Sequence, residues 1–146
     1  MDSIKKLREE TGLSFAEIKK ALDANAGDET AARAALVERS AIHAAKRADR
    51  EIEAGVVSSY VHSSGTIGVM IKMGCETDFV GKNEEFKSLA YDIAMHICAM
   101  NPTDKDELLT QNFIKDASLT IQGRLDAAVQ KFGENVQLIE YVRYSI

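Results

Sequence analysis

The side chains best suited to covalent chemistry cluster near the middle of the chain. Cys75 has the type of a nucleophile, with His62 as its base and Asp78 as an orienting carboxylate, because thiol attack needs a neighbour to take the proton. The context argues against that use. Cys75 ends an apolar, strand-like run through Val69 and Ile71, where a cysteine is ordinarily a small buried side chain. Cys75 and Cys98 make neither a disulfide framework nor a zinc pattern. His43, His62 and His96 fall on three separate predicted elements, so they lack metal-ligand spacing. No phosphate loop of the GxxxxGK type is present. No cofactor, no metal and no enzymatic role is expected.

The stretch Gly74 to Phe86, GCETDFVGKNEEF, points instead to recognition. A predicted strand ends before it, and Asn83 followed by Glu84 and Glu85 opens a helix with an Asx cap and two acids in its first turn. Between them a short loop carries Asp78 beside Phe79. Loops that hold an aromatic between rigid elements are frequent binding loops. The competing reading tucks Phe79 back under its own domain, the usual fate of a phenylalanine.

The elements that position this loop fall into two groups. In the first, Ser3 is expected to cap a helix carrying Ile4 and Leu7, ended at Thr11-Gly12. Ser14-Phe15-Ala16-Glu17 is a capping box, and Leu13 and Ile18 have the spacing of its hydrophobic staple. That helix stops near Asn25-Ala26-Gly27, and Asp28 caps a third with Ala32, Ala35 and Leu36 inward. Three short helices with tight turns resemble a ubiquitin-associated type bundle. Leu13 reads as core, and Phe15 stands either in the core or at a partner surface. From Arg39 to Arg50 the chain is basic, with Arg39, His43, Lys46, Arg47 and Arg50, and reads as a solvated helix face rather than a phosphate-binding stripe.

A different period begins at Gly55. Val57, Ser59 and Val61 alternate with Ser58, Tyr60 and His62, and Ile67, Val69, Ile71 and Met73 alternate across Ser63-Ser64-Gly65, the pattern of a β-hairpin. Phe86, Leu89, Ala90, Ile93, Ile97 and Met100 then form the apolar stripe of a helix ended by Asn101-Pro102. Thr103 to Ala117 reads as a polar loop with a patch of Leu108, Leu109, Phe113 and Ile114. Ser118 is expected to open a last helix, closed by Gly133, before a strand over Val136 to Tyr144. Val136, Leu138, Val142 and Tyr144 on one side of that strand, with Ile139 and Tyr141 on the other, imply that both sides are covered, the second by another copy. The expected fold is α+β. A three-helix ubiquitin-associated-like bundle spans 1–48, a linker 49–54, and a β-β-α-α-β domain with a small antiparallel sheet 55–146.

With 146 residues, 45% hydrophobic and 28% charged, the chain can bury a core. A net charge of −5 argues against direct binding of nucleic acid. No apolar run reaches the roughly 18 residues of a membrane span, and MDSIKKLREE lacks a secretory pattern. The expected location is the cytoplasm, or an organellar matrix.

Several segments taken together identify a family. LREETGLSFAEIKKAL, GDETAARAAL, AIHAAKRA, GVVSSYVH, IGVMIKMGCETDFVGKNEEF, AMHICAMNP and KFGENVQLIEYVRY, in this order, resemble elongation factor Ts across nearly the whole chain. That resemblance implies a guanine-nucleotide exchange factor for elongation factor Tu, binding its GDP-bound and nucleotide-free forms during translation elongation. It implies that Asp78 and Phe79 enter beside the magnesium and nucleotide site, that Thr77 and Val80 fix the loop, and that Arg8, Phe15 and Lys19 contact the partner. Longer members carry two core halves in tandem. This chain has one, which implies a homodimer, and its stretch between Pro102 and Ser118 is short even for compact members. Gly74 stands where an Asn is usual and Gly81 where an Ala is usual, substitutions expected to loosen the loop. The rival reading is an adaptor that binds helices or peptides through the bundle and dimerises through the second domain, indifferent to nucleotide.

Overall fold

The computed structural model describes residues 2–146. The chain begins with three helices, α1 (Asp2–Thr11), α2 (Phe15–Ala24) and α3 (Glu29–Arg47). Leu7, Leu13, Ile18, Leu22, Ala32 and Leu36 form their shared core. Local chemistry sets the boundaries. Ser14 Oγ accepts the Glu17 N–H and the Glu17 carboxylate accepts the Ser14 N–H, so the capping box closes as expected. Asp28 caps α3 through the Ala31 N–H. Two expectations need correction. Ser3 lies inside α1 rather than capping it, and Ala35 is exposed while Ala32 and Leu36 face inward.

The second cluster is built on a three-stranded antiparallel sheet of β1 (Ala54–Val61), β2 (Ile67–Cys75) and β3 (Gln137–Ser145), in that order. Val69, Ile71 and Met73 of β2 and Leu138 of β3 face the helices α5 (Glu84–Met100) and α7 (Ile121–Phe132). Phe86, Ile93 and Ile97 of α5 meet Leu125 and Val129 of α7 in the same core, and Phe86 packs edge-on to Phe132 at 6.2 Å. α5 starts at its Asn83 cap and ends at Asn101, in the left-handed region, before Pro102.

Two short helices complete the chain: α4 (Asp78–Gly81) and α6 (Lys105–Thr110). Both fall where the sequence reads as loop. In α6, Asp104 caps the Glu107 N–H at 2.8 Å, and one turn suffices to bury Leu108. Phe113 is also fully buried, stacked on His96 at 6.0 Å, whereas Ile114 is exposed. The cap of α7 is Thr120 rather than Ser118, because Ser118 is held in an Asx turn by Asp116 and Thr120 Oγ1 accepts the Gly123 N–H.

The last strand departs from the expected face assignment. A bulge opposite Lys72/Met73 places Ile139 as an extra residue, so Met73 pairs with Leu138 while Lys72 pairs with Glu140. Leu138 and Tyr141 therefore face the helices, and Val142 and Tyr144 face away from them. The bundle rests on the sheet domain along α3 and α7. Ser40 Oγ donates to Gln130 Oε1 at 2.7 Å, Gln130 Nε2 donates to Glu17 Oε1 at 2.8 Å, and Arg124 Nη1 reaches the Glu10 carbonyl.

Candidate functional site

The Asp78-Phe79 pair sits on a single helical turn, α4, at the end of the central strand. Thr77 is its cap: φ and ψ of −128° and 154° leave it extended while Oγ1 accepts the Val80 N–H at 3.3 Å. Val80 points inward and joins the sheet core, 4% exposed. Asp78 and Phe79 point outward, and Phe79 is 86% exposed, with no core contact in its own domain. The tucked-in reading of Phe79 is thereby excluded. Four residues do not hold a helical turn by themselves. The turn depends on the cap, on Val80 and on the backbone beneath it.

That backbone is β1 at Gly55. A Cβ on Gly81 would lie 3.2 Å from the Gly55 carbonyl oxygen and 3.3 Å from its nitrogen, so α4 lies directly on the strand. Gly55 itself has φ of +154°, and a Cβ there would stand 2.1 Å from the Met73 carbonyl oxygen. Gly74 is buried, beneath Ile52 and Ile139. Gly74 and Gly81 are both closely contacted by the surrounding chain, and neither has a positive φ.

The start of the turn is held from a distant part of the chain. Glu134, just beyond the Gly133 stop of α7, accepts the Glu76 and Thr77 N–H groups on Oε1 at 3.0 and 3.1 Å, and the Thr77 hydroxyl on Oε2 at 2.7 Å. Glu76 answers by accepting the Asn135 N–H at 2.6 Å, with Arg50 Nη1 3.6 Å away. The Asn135 side chain in turn donates to the Arg50 and Ala48 carbonyls. No motif in the sequence marks these contacts. The only local signal is a run of polar residues, Gly133-Glu134-Asn135, between an apolar helix and an apolar strand.

The thiol constellation is not assembled. Cys75 is fully buried, its Sγ donates to the Thr77 carbonyl at 3.2 Å, and burial, with Glu134 nearby, pushes its pKa up, away from a reactive thiolate. Cys75 pairs at the Ala54 end of β1, and His62 follows the Val61 end, eight residues or roughly 25 Å along the strand. Among the described residues, no group of His, Cys, Asp and Glu has the arrangement of a metal site. His43 lies on α3, His62 after β1 and His96 on α5. No described helix is long and apolar enough to cross a membrane.

Of the bundle residues, Arg8, Phe15 and Lys19 are all exposed, Phe15 at 45%. Phe15 and Lys19 stand one turn apart on α2. Arg8 and Phe15 line a cleft of about 590 Å³ between the α1–α2 corner and the helices α5 and α7. Glu85 and Lys131 form an ion pair in the α5–α7 wall of the cleft, and burial together with Arg8 lowers the Lys131 pKa. Lys19 is not part of this lining. The cleft reaches Glu85, in the first turn of the helix that follows Asp78-Phe79, so the two candidate surfaces adjoin at the start of α5.

Residues 76–146, from this turn to the last strand, match the family model Elongation factor TS. The whole chain is 32% identical to elongation factor Ts of Rubrobacter xylanophilus, covering 98% of it, and 33% identical to that of Thermotoga neapolitana, covering 96%. It is 36% identical to the Desulforamulus reducens protein over 98% of this chain and 87% of that one. The Rubrobacter alignment extends over 191 positions for a chain of 146 residues, so that relative carries additional sequence within the matched span. With this similarity along its full length, the chain belongs to the elongation factor Ts family of translation elongation factors.

Proposed function

We propose that the protein is a guanine-nucleotide exchange factor for elongation factor Tu, and that Asp78 and Phe79 are the residues it inserts beside the magnesium and nucleotide site. The observation that carries this reading is the 86% exposure of Phe79 on a turn whose backbone is fixed from three sides. A large apolar side chain held out from a rigid support is suited to filling a pocket in a partner, because little ordering remains to be done on binding. Asp78 beside it carries negative charge toward a site whose largest charges are a divalent cation and phosphates. Arg8, Phe15 and Lys19 supply a second contact on the bundle, and Thr77 and Val80 hold the turn that presents Asp78 and Phe79.

No bond chemistry is needed. The factor must bind the nucleotide-free partner more tightly than the GDP-bound one, and reciprocity then makes factor and nucleotide weaken each other equally. The deciding experiment is a pair of affinities, for elongation factor Tu without nucleotide and with GDP. Much tighter binding to the empty form is expected. Equal affinities would refute exchange and leave the adaptor reading in its place.

We also propose that the protein acts as a homodimer. Val57, Met70, Val142 and Tyr144 lie exposed on the sheet face opposite the helices, and Met70 pairs directly with Val142. A second copy presenting the same face would cover both, as isologous pairing allows.

A further inference from the structure

We propose that Glu134 is the positioning residue of the Asp78-Phe79 turn, holding it in its binding geometry before any partner arrives. Phe79 makes no core contact within its own domain, so its direction is set wholly by the backbone of α4. That backbone starts at Glu76 and Thr77, and one carboxylate accepts both of their N–H groups together with the Thr77 hydroxyl. Hydrogen bonds to an ionised acceptor are the stronger kind, and three converging on one group fix its orientation as well as its distance. The Thr77 hydroxyl has a single proton. By donating it to Glu134 at 2.7 Å, the hydroxyl keeps its lone pairs aimed at the Val80 N–H, which is the bond that caps the turn. Glu134 thus orders the cap, and the cap orders Phe79.

Glu134 is itself well placed to be rigid. Gly133 ends α7 in the left-handed region at φ 69°, and Asn135, 3% exposed, is pinned by the Glu76 carboxylate and by the carbonyls of Ala48 and Arg50. Arg50 spans the same corner, donating to the Gly133 carbonyl and lying beside Glu76. The anchor therefore reaches the turn from the α7–β3 corner, where the end of the helical bundle is also tied down.

The consequence for activity rests on the exchange reading; the role in holding the turn does not. Two measurements on the full chain keep the two apart. The first needs no partner. Amide hydrogen exchange of Glu134→Ala is expected to show lost protection at Glu76, Thr77 and Val80, with the central β2 and α5 amides unchanged. Unchanged protection at those three positions would overturn the proposal. Thr77→Val, which removes only the hydroxyl, should expose Val80 and leave the Glu76 amide protected, and it serves if the alanine variant folds poorly.

The second is the maximal rate of GDP release from elongation factor Tu at saturating factor. Glu134→Ala should lower it by between about tenfold and a hundredfold, the cost of a misplaced contact group. Glu134→Gln, which retains an oxygen for both backbone N–H groups, should recover much of the loss. In an Asp78→Ala, Phe79→Ala background the Glu134→Ala change should add nothing, because the anchor then has neither contact side chain left to aim. Independent, multiplying effects would assign Glu134 a general structural role and overturn the proposal. If the wild-type chain failed to accelerate release at all, exchange would fall, and the amide protection alone would decide the role of Glu134.

Discussion

Acid should loosen this fold through one buried side chain. His96 is fully buried in α5, stacked on Phe113, and its two ring nitrogens have different partners. Nδ1 accepts the Ile114 N–H at 3.1 Å, which assigns the proton of the neutral ring to Nε2, facing Gln111 Oε1 at 2.9 Å. Protonating Nδ1 would set two N–H groups against each other and leave a cation in the core. Burial accordingly lowers the His96 pKa, with the Gln111 bond opposing that shift.

The sign follows from the protons bound. With the folded pKa below the unfolded value of about 6.5, the unfolded chain takes up the proton first, so stability is lost as pH falls below that value. One unit below it, the loss attributable to His96 is up to about 1.4 kcal/mol, the limit in which the folded ring stays neutral. Urea denaturation at about pH 7.5 and about pH 5.5, on the wild type and on His96→Gln, measures this difference. Asp126 works in the opposite sense: burial raises its pKa, so its contribution is lost as pH rises through the folded value. It is present in both proteins and cancels in the comparison. An equal pH dependence in the two would refute the assignment of Nδ1 as a buried acceptor.

The Glu10–Arg33 pair should behave as a unit. Arg33 Nε and Nη2 donate to the two oxygens of Glu10 at 2.8 and 2.9 Å, and the Glu10 side chain is 3% exposed, so Arg33→Ala strands a buried carboxylate and should cost about 3 kcal/mol in denaturant unfolding. Restoration of most of that loss by adding Glu10→Met is expected; no recovery would mean the pair matters through packing alone. On the outer sheet face, Met70→Asp should convert a concentration-dependent dimer to a monomer in sedimentation equilibrium without altering the circular dichroism spectrum. A wild type that is monomeric at all concentrations would remove the dimer from the account.

Local signals in the sequence identify most elements correctly. The Ser14–Glu17 box, the Asp28 and Asn83 caps, the Gly133 stop and the alternation of the hairpin each act within a few residues, and each is where the structure has it. The outward Phe79 needed the family resemblance, because spacing alone favours a buried phenylalanine. α4 and α6 are too short to show a helical period, although Thr77 and Asp104 are ordinary caps. Which face of β3 meets the helices depends on a bulge at Ile139, set by pairing with β2 and invisible in β3 itself. Glu134 meets Thr77 across 57 residues, a contact that only the closed fold creates.

The most direct test of the central claim is release of a fluorescent GDP analogue from elongation factor Tu with wild-type protein and with Phe79→Ala. Burying this exposed ring in the partner should contribute about 1.5–3 kcal/mol. The account therefore predicts fast release by the wild type and a fall of about ten- to a hundredfold in the variant. Release equally fast with Phe79→Ala would contradict it.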